Sequence, residues 1–153
     1  MGYYRASTLE DCHKLAPMIR TQDLVELEYT NDLSPLEAIT ASYYASEECN
    51  TMIDNNEKII GMFGIGRIGD QGKIWMIATP GLNDVSIVKQ FLHEKKKWLN
   101  KVKNNYSRLF NFVYDENTMT KRWLKWLGFE LKHHIPQYGN YKKPFWLFEM
   151  EIA

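Results

Sequence analysis

The segment from Arg108 to Phe129 combines residue types and spacing that could hold a polar ligand. A short apolar strand leads to Asn117, a residue type favoured at helix N-termini, and the helix that follows ends at Gly128-Phe129. The first turn of a helix has backbone N–H groups without intrahelical partners, and the amide of Asn117 would lie beside them. We therefore expect this strand–Asn–helix unit to bind a polar ligand.

Four acidic residues could supply a general base near such a site: Glu26, Glu28, Asp115 and Glu116. A carboxyl group in an apolar pocket has a raised pKa and can accept a proton near neutral pH. Asn111 lies within the apolar run LFNFV, and a buried amide must find hydrogen-bond partners. We expect partners within the protein, and a ligand remains the alternative.

Two further patterns resemble binding motifs but lack the structural context that those motifs need. Gly64-x-Gly66-x-x-Gly69 matches the dinucleotide-binding fingerprint, yet it lies in a predicted strand and hairpin turn instead of between a strand and a helix. We interpret these glycines as sites of a bulge or of close packing. His133 and His134 adjoin on a predicted strand, so their side chains point to opposite faces and cannot share a metal ion. No metal site is predicted.

The loop Thr79–Asp84 does have the context of a phosphate-binding loop, because it joins a central strand to a long helix. However, Asn83 and Asp84 are also good N-cap residues, and a carboxylate at the start of that helix would repel an anion. A structural cap and a phosphate site both remain open from the sequence.

The elements that must position these residues follow from hydrophobic periodicity and end signals. The predicted order is β-α-α-β-β-β-α-β-α-β-β, a mixed α/β fold with a mostly antiparallel central sheet. Capping boxes beginning at Ser7 and Ser34 start two helices, and Pro17 should kink the first helix or end it early. The polar segment 21–32 between them is expected to be irregular. Its apolar residues should pack inward: Leu24, Val25 and Leu27.

A long helix connects two predicted strands, Ile74–Thr79 and Leu109–Tyr114, so these strands should be parallel neighbours through a right-handed crossover. Its apolar stripe consists of Val85, Val88, Phe91/Leu92, Trp98/Leu99 and Val102. The lysines of this helix are expected to lie largely off the stripe: Lys95, Lys96, Lys97 and Lys101.

Composition sets broader limits on the function. The 153 residues are 44% hydrophobic, which is too apolar for a disordered chain, and we expect one domain over residues 1–153. Lys plus Arg and Asp plus Glu both number 19, so no net charge favours nucleic acid. No apolar run approaches the roughly 20 residues of a membrane span. Cys12 and Cys49 match no metal spacing, and such low cysteine usage is typical of a reducing compartment.

The element order, Asn117 and the helix end Leu127-Gly128-Phe129 resemble the GNAT superfamily of acetyl-CoA-dependent N-acetyltransferases. A strand, an Asn, a helix and a terminal Gly-Phe form the fourth conserved segment of that superfamily. The chain is also similar to small GNAT-like proteins of short-tailed phages, some of which are internal virion proteins. The similar segments are IWMIATPGL, RLFNFVYDEN, KRWLKWLGF and PFWLFEM.

The resemblance implies a V-shaped opening between the strands Ile74–Thr79 and Leu109–Tyr114 that admits the pantetheine arm of acetyl-CoA. Asn117 would contact the cofactor, and the start of the following helix would take the pyrophosphate. The backbone groups expected to pair with the arm belong to Ile77, Ala78 and Thr79. The residues expected at the pyrophosphate are Asn83, Val85 and Ser86.

Two positions depart from the superfamily pattern. The Arg/Gln-x-x-Gly-x-Gly/Ala pyrophosphate loop is absent, and Gly81–Ser86 stands in its place. The tyrosine that often protonates the departing thiolate is Leu124 here, so we expect Tyr114 to take that role. Glu26 is the expected base, and the N–H of Ala78 or a neighbour is expected to stabilise the oxyanion.

These inferences predict an acetyl-CoA-dependent N-acetyltransferase of phage origin that acts on a primary amine of a protein or small molecule. The alternative is a catalytically degenerate GNAT-fold protein that serves as a virion component or binds and inhibits a host protein. The phage resemblance implies that the protein works in the host cytoplasm or in the virion. The lack of an apolar span and the balanced charge argue against a membrane or a nucleic-acid partner.

Overall fold

A seven-stranded sheet is the centre of the computed structural model, which describes residues 2–152. Its strands are β1 (Tyr3–Ala6), β2 (Ser46–Ile53), β3 (Ile59–Ile68), β4 (Gln71–Ala78), β5 (Arg108–Tyr114), β6 (Glu130–Tyr138) and β7 (Lys143–Glu151). They lie in the order β1-β2-β3-β4-β5-β7-β6. Only the β4–β5 pair is parallel, which confirms the predicted mixed, mostly antiparallel sheet and its crossover.

Five α-helices cover the sheet: α1 (Leu9–Leu15), α2 (Thr21–Thr30), α3 (Pro35–Ala45), α4 (Val85–Val102) and α5 (Thr118–Leu127). Ser34 forms the predicted capping box with Glu37, whereas the first box begins one residue later than predicted, at Thr8. α1 ends at Leu15 and Pro17 lies in a short 3-10 turn, so the prediction of an early end is confirmed.

The prediction of an irregular segment at 21–32 is wrong, because Thr21–Thr30 form α2. The side of α2 that faces the protein carries carboxylates: Asp23 is buried and Glu26 partly buried, while Leu24 is exposed. A helix with a polar inner side lacks the apolar periodicity by which amphipathic helices are recognised. The predicted element order therefore gains one helix.

Two hydrophobic cores lie on opposite faces of the sheet. α1 and α3 cover one face, where Leu15 and Ile39 pack with Met62 and Ile77. α4 and α5 cover the other face with a larger cluster centred on Phe63, whose ring lies edge-on to Trp98 at a centroid distance of 4.9 Å. The alternation of Met62 and Phe63 along β3 supplies one side chain to each core.

The strands β4 and β5 pair only over Gln71–Lys73 and Arg108–Phe110, and then they diverge. Asn111 lies where the divergence begins. Its Nδ2 donates to the carbonyl of Ile74, and its Oδ1 accepts the N–H of Phe112. The V-shaped opening is thus present, and the partly buried amide of Asn111 has its partners within the protein, as predicted.

The glycine pattern has a packing explanation. A Cβ at Gly64 would lie 2.8 Å from the carbonyl oxygen of Glu48 and from Nε1 of Trp75, so the strand surface is crowded there. Within residues 2–152, no helix is both long and apolar enough to cross a membrane. The same residues contain no group of three or more His, Cys, Asp or Glu side chains that could hold a metal ion.

Candidate functional site

A cavity of about 440 Å³ passes through the opening between β4 and β5. α2 and α3 line it on one face of the sheet, together with Trp75, Phe112 and Tyr138. α4 and α5 line it on the other face, through Lys95 and Trp123 among others. A largely apolar cavity of this size with a few polar groups is typical of a small-molecule site.

Two carboxylates of α2 hold the ends of the diverging strands. Asp23 Oδ2 accepts the N–H of Ala78 at 2.8 Å, at the end of β4. Glu26 Oε1 accepts the N–H of Tyr114 at 3.1 Å, at the end of β5. Because the two residues are three apart, they lie on one side of the helix. α2 therefore spans the wide end of the opening.

Arg20, the residue before α2, forms a buried ion pair with Asp23. Its Nε lies 2.8 Å from Oδ2 and its Nη2 lies 3.1 Å from Oδ1, and the guanidinium lies over the ring of Trp123. The backbone N–H of Arg20 also donates to the carbonyl of Ala78 at 2.8 Å. Its Nη1 is buried and has no hydrogen-bond partner within residues 2–152.

Burial raises the pKa of Glu26 to about 7, and the negative charge of Asp23 adds to this effect. The hydrogen bonds from Asn117 and from the Tyr114 N–H act in the opposite direction. A carboxyl group with this pKa is about half ionised at neutral pH, which suits a general base.

Asn117 is the N-cap of α5, as predicted: its Oδ1 accepts the N–H of Thr120. Its Nδ2 donates to Glu26 Oε1 at 2.9 Å. The amide is therefore already bound within the protein, and its contact with a cofactor stays a prediction.

The hydrogen-bonding pattern between β3 and β4 determines which backbone groups of β4 face the opening. The N–H of Thr79 donates to the carbonyl of Ile60 at 3.0 Å. Since hydrogen-bonded pairs alternate in an antiparallel ladder, the backbone of Ile77 also faces β3. This geometry argues against hydrogen bonds from the N–H groups of Ile77 and Thr79 to a ligand in the opening, and the expected pairing of the Ile77, Ala78 and Thr79 backbone with the cofactor arm stays an untested prediction.

The same alternation turns Met76 and Ala78 toward the opening. Ala78 is already held there, since its N–H binds Asp23 and its carbonyl accepts from Arg20. Met76 lies beyond the three residues of β4 that pair with β5. The N–H of Met76, a neighbour of Ala78, is therefore the better candidate for an oxyanion donor.

The start of α4 is closed by a structural cap. Asp84 Oδ1 accepts both the N–H of Ser86 at 2.9 Å and its hydroxyl at 2.8 Å. These bonds lower the pKa of Asp84, so the carboxylate stays ionised and opposes an anion. The cap is thus favoured over a phosphate site, and the residues expected at the pyrophosphate are exposed around it: Asn83, Val85 and Ser86.

Tyr114 does not present its hydroxyl to the cavity. The hydroxyl donates to Glu116 at 2.6 Å, and this hydrogen bond raises the pKa of Tyr114 to about 12, which makes it a weaker acid. This geometry argues against Tyr114 as proton donor, and that role stays an untested prediction. Within the described chain, Tyr138 is the tyrosine that lines the cavity, where its ring stacks on Phe112 at 4.8 Å. No sequence motif marked it.

Lys95 is a second residue that the sequence reasoning missed, since it is buried on the core side of α4 with 5% of its surface exposed. Its Nζ lies 5.4 Å from the ring centre of Phe91 and 5.6 Å from that of Phe63. Burial, with a smaller contribution from the charge of Arg20, lowers the pKa of Lys95 to about 7, and the charge of Asp23 acts in the opposite direction. Lys95 lies four residues after Phe91 and three before Trp98, and this spacing predicts that it shares their buried side of α4.

No protein-family model and no curated protein sequence matches the chain. Solved structures do match it. A spermidine N-acetyltransferase from Vibrio cholerae, in complex with CoA and spermine, superposes with a TM-score of 0.73 at 11% identity over 98% of this chain and 95% of that chain. A GCN5-related N-acetyltransferase from Kribbella flavida gives a TM-score of 0.73 at 12% identity over 99% and 98% of the two chains.

A GNAT-family acetyltransferase from Bacillus anthracis gives a TM-score of 0.70 at 12% identity, over 98% of this chain and 94% of that chain. At such identities the likeness concerns the fold. The chain therefore has the fold of the GNAT N-acetyltransferases across nearly its whole length.

Proposed function

We propose that the chain is an N-acetyltransferase that moves an acetyl group from acetyl-CoA to a primary amine. The observation that carries the proposal is Glu26, a carboxyl group with a pKa of about 7 at the wide end of a cavity between β4 and β5. The fold supports the proposal, because the Vibrio cholerae enzyme that shares it was crystallised with CoA and an amine.

Acetyl-CoA would supply a thioester carbonyl in the opening. Glu26 then accepts a proton from the ammonium group of the acceptor, directly or through a water molecule, because only a neutral amine is nucleophilic. Asn117 and the N–H of Tyr114 position the carboxylate through Oε1, so its other oxygen is available for this proton. The N–H of Met76 donates to the oxygen on which negative charge develops when the amine nitrogen attacks the carbonyl carbon. The C–S bond then breaks, and the CoA thiolate leaves and takes the remaining proton that the amide nitrogen must lose.

The cofactor arm competes with α2 for two groups of the site. The N–H of Ala78 is bound to Asp23 and the amide of Asn117 is bound to Glu26. The arm gains these hydrogen bonds only if the α2 side chains release them. We propose that Ile77, Thr79, Asn83, Val85 and Ser86 contribute to the walls of the cofactor path and not to its hydrogen bonds.

Thermal unfolding with acetyl-CoA tests the proposal. Acetyl-CoA at 100 times its dissociation constant stabilises the folded protein by about 2.7 kcal/mol. This raises Tm by roughly 2–4 °C for each kcal/mol in a domain of this size. The Glu26→Gln variant should keep the shift, because its amide oxygen still accepts from Asn117, but it should lose turnover of an amine panel.

If millimolar acetyl-CoA does not change Tm, the proposal of an acetyl-CoA-dependent enzyme is refuted. That result would favour a degenerate GNAT-fold protein that serves as a virion component or binds a host protein. Under either proposal, we propose that the protein is encoded by a phage and acts in the host cytoplasm or in the virion. The resemblance of four segments to phage proteins supports this origin.

A further inference from the structure

We infer that the α4 side of the cavity is a carboxylate subsite, so that the preferred acyl donor is a CoA thioester whose acyl chain ends in a carboxylate. This inference rests on the proposed function and names the class of its donor. Lys95 is the residue that would bind the carboxylate, and the charge of Arg20 acts on the same place.

Lys95 is an unpartnered cation in the cavity wall. Only 5% of its surface is exposed, and Nζ makes no hydrogen bond or ion pair with any residue that the structure describes. Its nearest ring neighbours are Phe63 and Phe91, whose faces replace little of the lost hydration. A buried ammonium without a counter-ion is costly, and an apolar residue would suit this position of the α4 stripe. A ligand anion would account for the lysine.

Arg20 is a second cation in the wall of the same cavity. It is 1% exposed, and its Nη1 is buried without a partner although Nε and Nη2 bind Asp23. The negative charge of Asp23 can therefore neutralise only one of the two buried basic side chains, Arg20 and Lys95. A terminal carboxylate bound at Lys95 would balance the charge.

The other charged groups around the cavity are directed elsewhere. Glu26 is held at the end of β5 by Asn117 and the N–H of Tyr114. On the α3 side, the guanidinium of Arg67 is bound to Glu47, and Lys73 is exposed. The unbalanced charge is thus on the α4 side of the sheet.

Along the strand direction, the subsite lies beside the residue that is proposed to bind the reacting carbonyl. Phe63, whose ring is under the ammonium of Lys95, is the register partner of Met76. Met76 is the proposed donor to the reacting carbonyl. A succinyl chain carries a carboxylate two methylene groups beyond that carbonyl, whereas an acetyl group has only its methyl group there.

Matched thioesters test the subsite. Succinyl-CoA and butyryl-CoA have acyl chains of the same carbon number, and only the first ends in a carboxylate. We expect succinyl-CoA to bind the protein about 10- to 100-fold more tightly by titration calorimetry, as for a charge-assisted hydrogen bond. Lys95→Met should reduce this ratio to about 1. Lys89→Met, an exposed lysine of the same helix, should keep it.

Equal affinities in the natural protein, or a preference that survives in Lys95→Met, would overturn the subsite while acetyl-CoA binding still supports the proposed function. Failure of every CoA thioester to bind would instead overturn the proposed function and the subsite with it. CoA and dephospho-CoA form a further pair. A Lys95-dependent difference between them would assign the subsite to the cofactor phosphate and refute an acyl carboxylate.

Discussion

Replacing Lys95 with methionine should stabilise the protein, and the gain should depend on pH. The pKa of Lys95 is about 7 in the folded protein and 10.5 in a model chain. The folded state therefore binds fewer protons than the unfolded state between these values, so burial of Lys95 lowers the free energy of unfolding. This penalty is largest at low pH and disappears as pH rises through 10.5. Linkage gives a penalty of about 4 kcal/mol at pH 7 and about 2 kcal/mol at pH 9.

Urea unfolding at pH 7, 8 and 9 measures this penalty as the difference between the free energies of unfolding of Lys95→Met and the natural protein. The difference should fall by about 1 kcal/mol for each pH unit between pH 7 and pH 9. Lys89→Met is the matched control, because Lys89 is exposed on the same helix and should show no such trend. A variant less stable than the natural protein, or a gain that does not change with pH, would refute the burial of an uncompensated lysine.

Three other substitutions test the remaining assignments. In Glu26→Gln the rising limb of the pH–rate profile near pH 7 should disappear, because the base must lose its proton to act; a limb that persists would assign it to another group. Asp84→Ala should cost about 1 kcal/mol in urea unfolding through loss of the α4 cap, and it should tighten acetyl-CoA binding if phosphates approach that helix. Gly64→Ala should cost about 1–3 kcal/mol, because its Cβ meets Glu48 and Trp75; a neutral effect would contradict the close packing.

The sequence predicted the parts of the fold that depend on local chemistry. Ser34 caps α3 with Glu37, Asn117 caps α5, and Gly128 ends that helix with a φ of 105° that favours glycine. The crossover between β4 and β5 followed from the buried strand and the apolar stripe of α4. Each of these signals lies within a few residues of the feature that it determines, so it can be read without knowledge of the fold.

The candidate site was less predictable because its side chains contradict the usual patterns. α2 presents Asp23 and Glu26 to the interior, so its sequence lacks the apolar periodicity that predicts an amphipathic helix. Lys95 was expected to lie off the apolar stripe of α4 with the other lysines, although its spacing places it on the core side of that helix. Glu26 was named from the resemblance, but the hydrogen bonds that orient it come from Asn117 and Tyr114, 91 and 88 residues away.

The same polar side of α2 explains why the opening between the strands persists. Once β4 and β5 diverge, the N–H groups of Ala78 and Tyr114 lose their ladder partners, and unpaired buried donors are costly. Asp23 and Glu26 accept these two N–H groups from one helix face, so the separation of the strand ends is matched to about one helical turn. Arg20 balances the charge of Asp23, and burial leaves Glu26 with a pKa near 7. The interactions that hold the cavity open are therefore also those that prepare its proposed base.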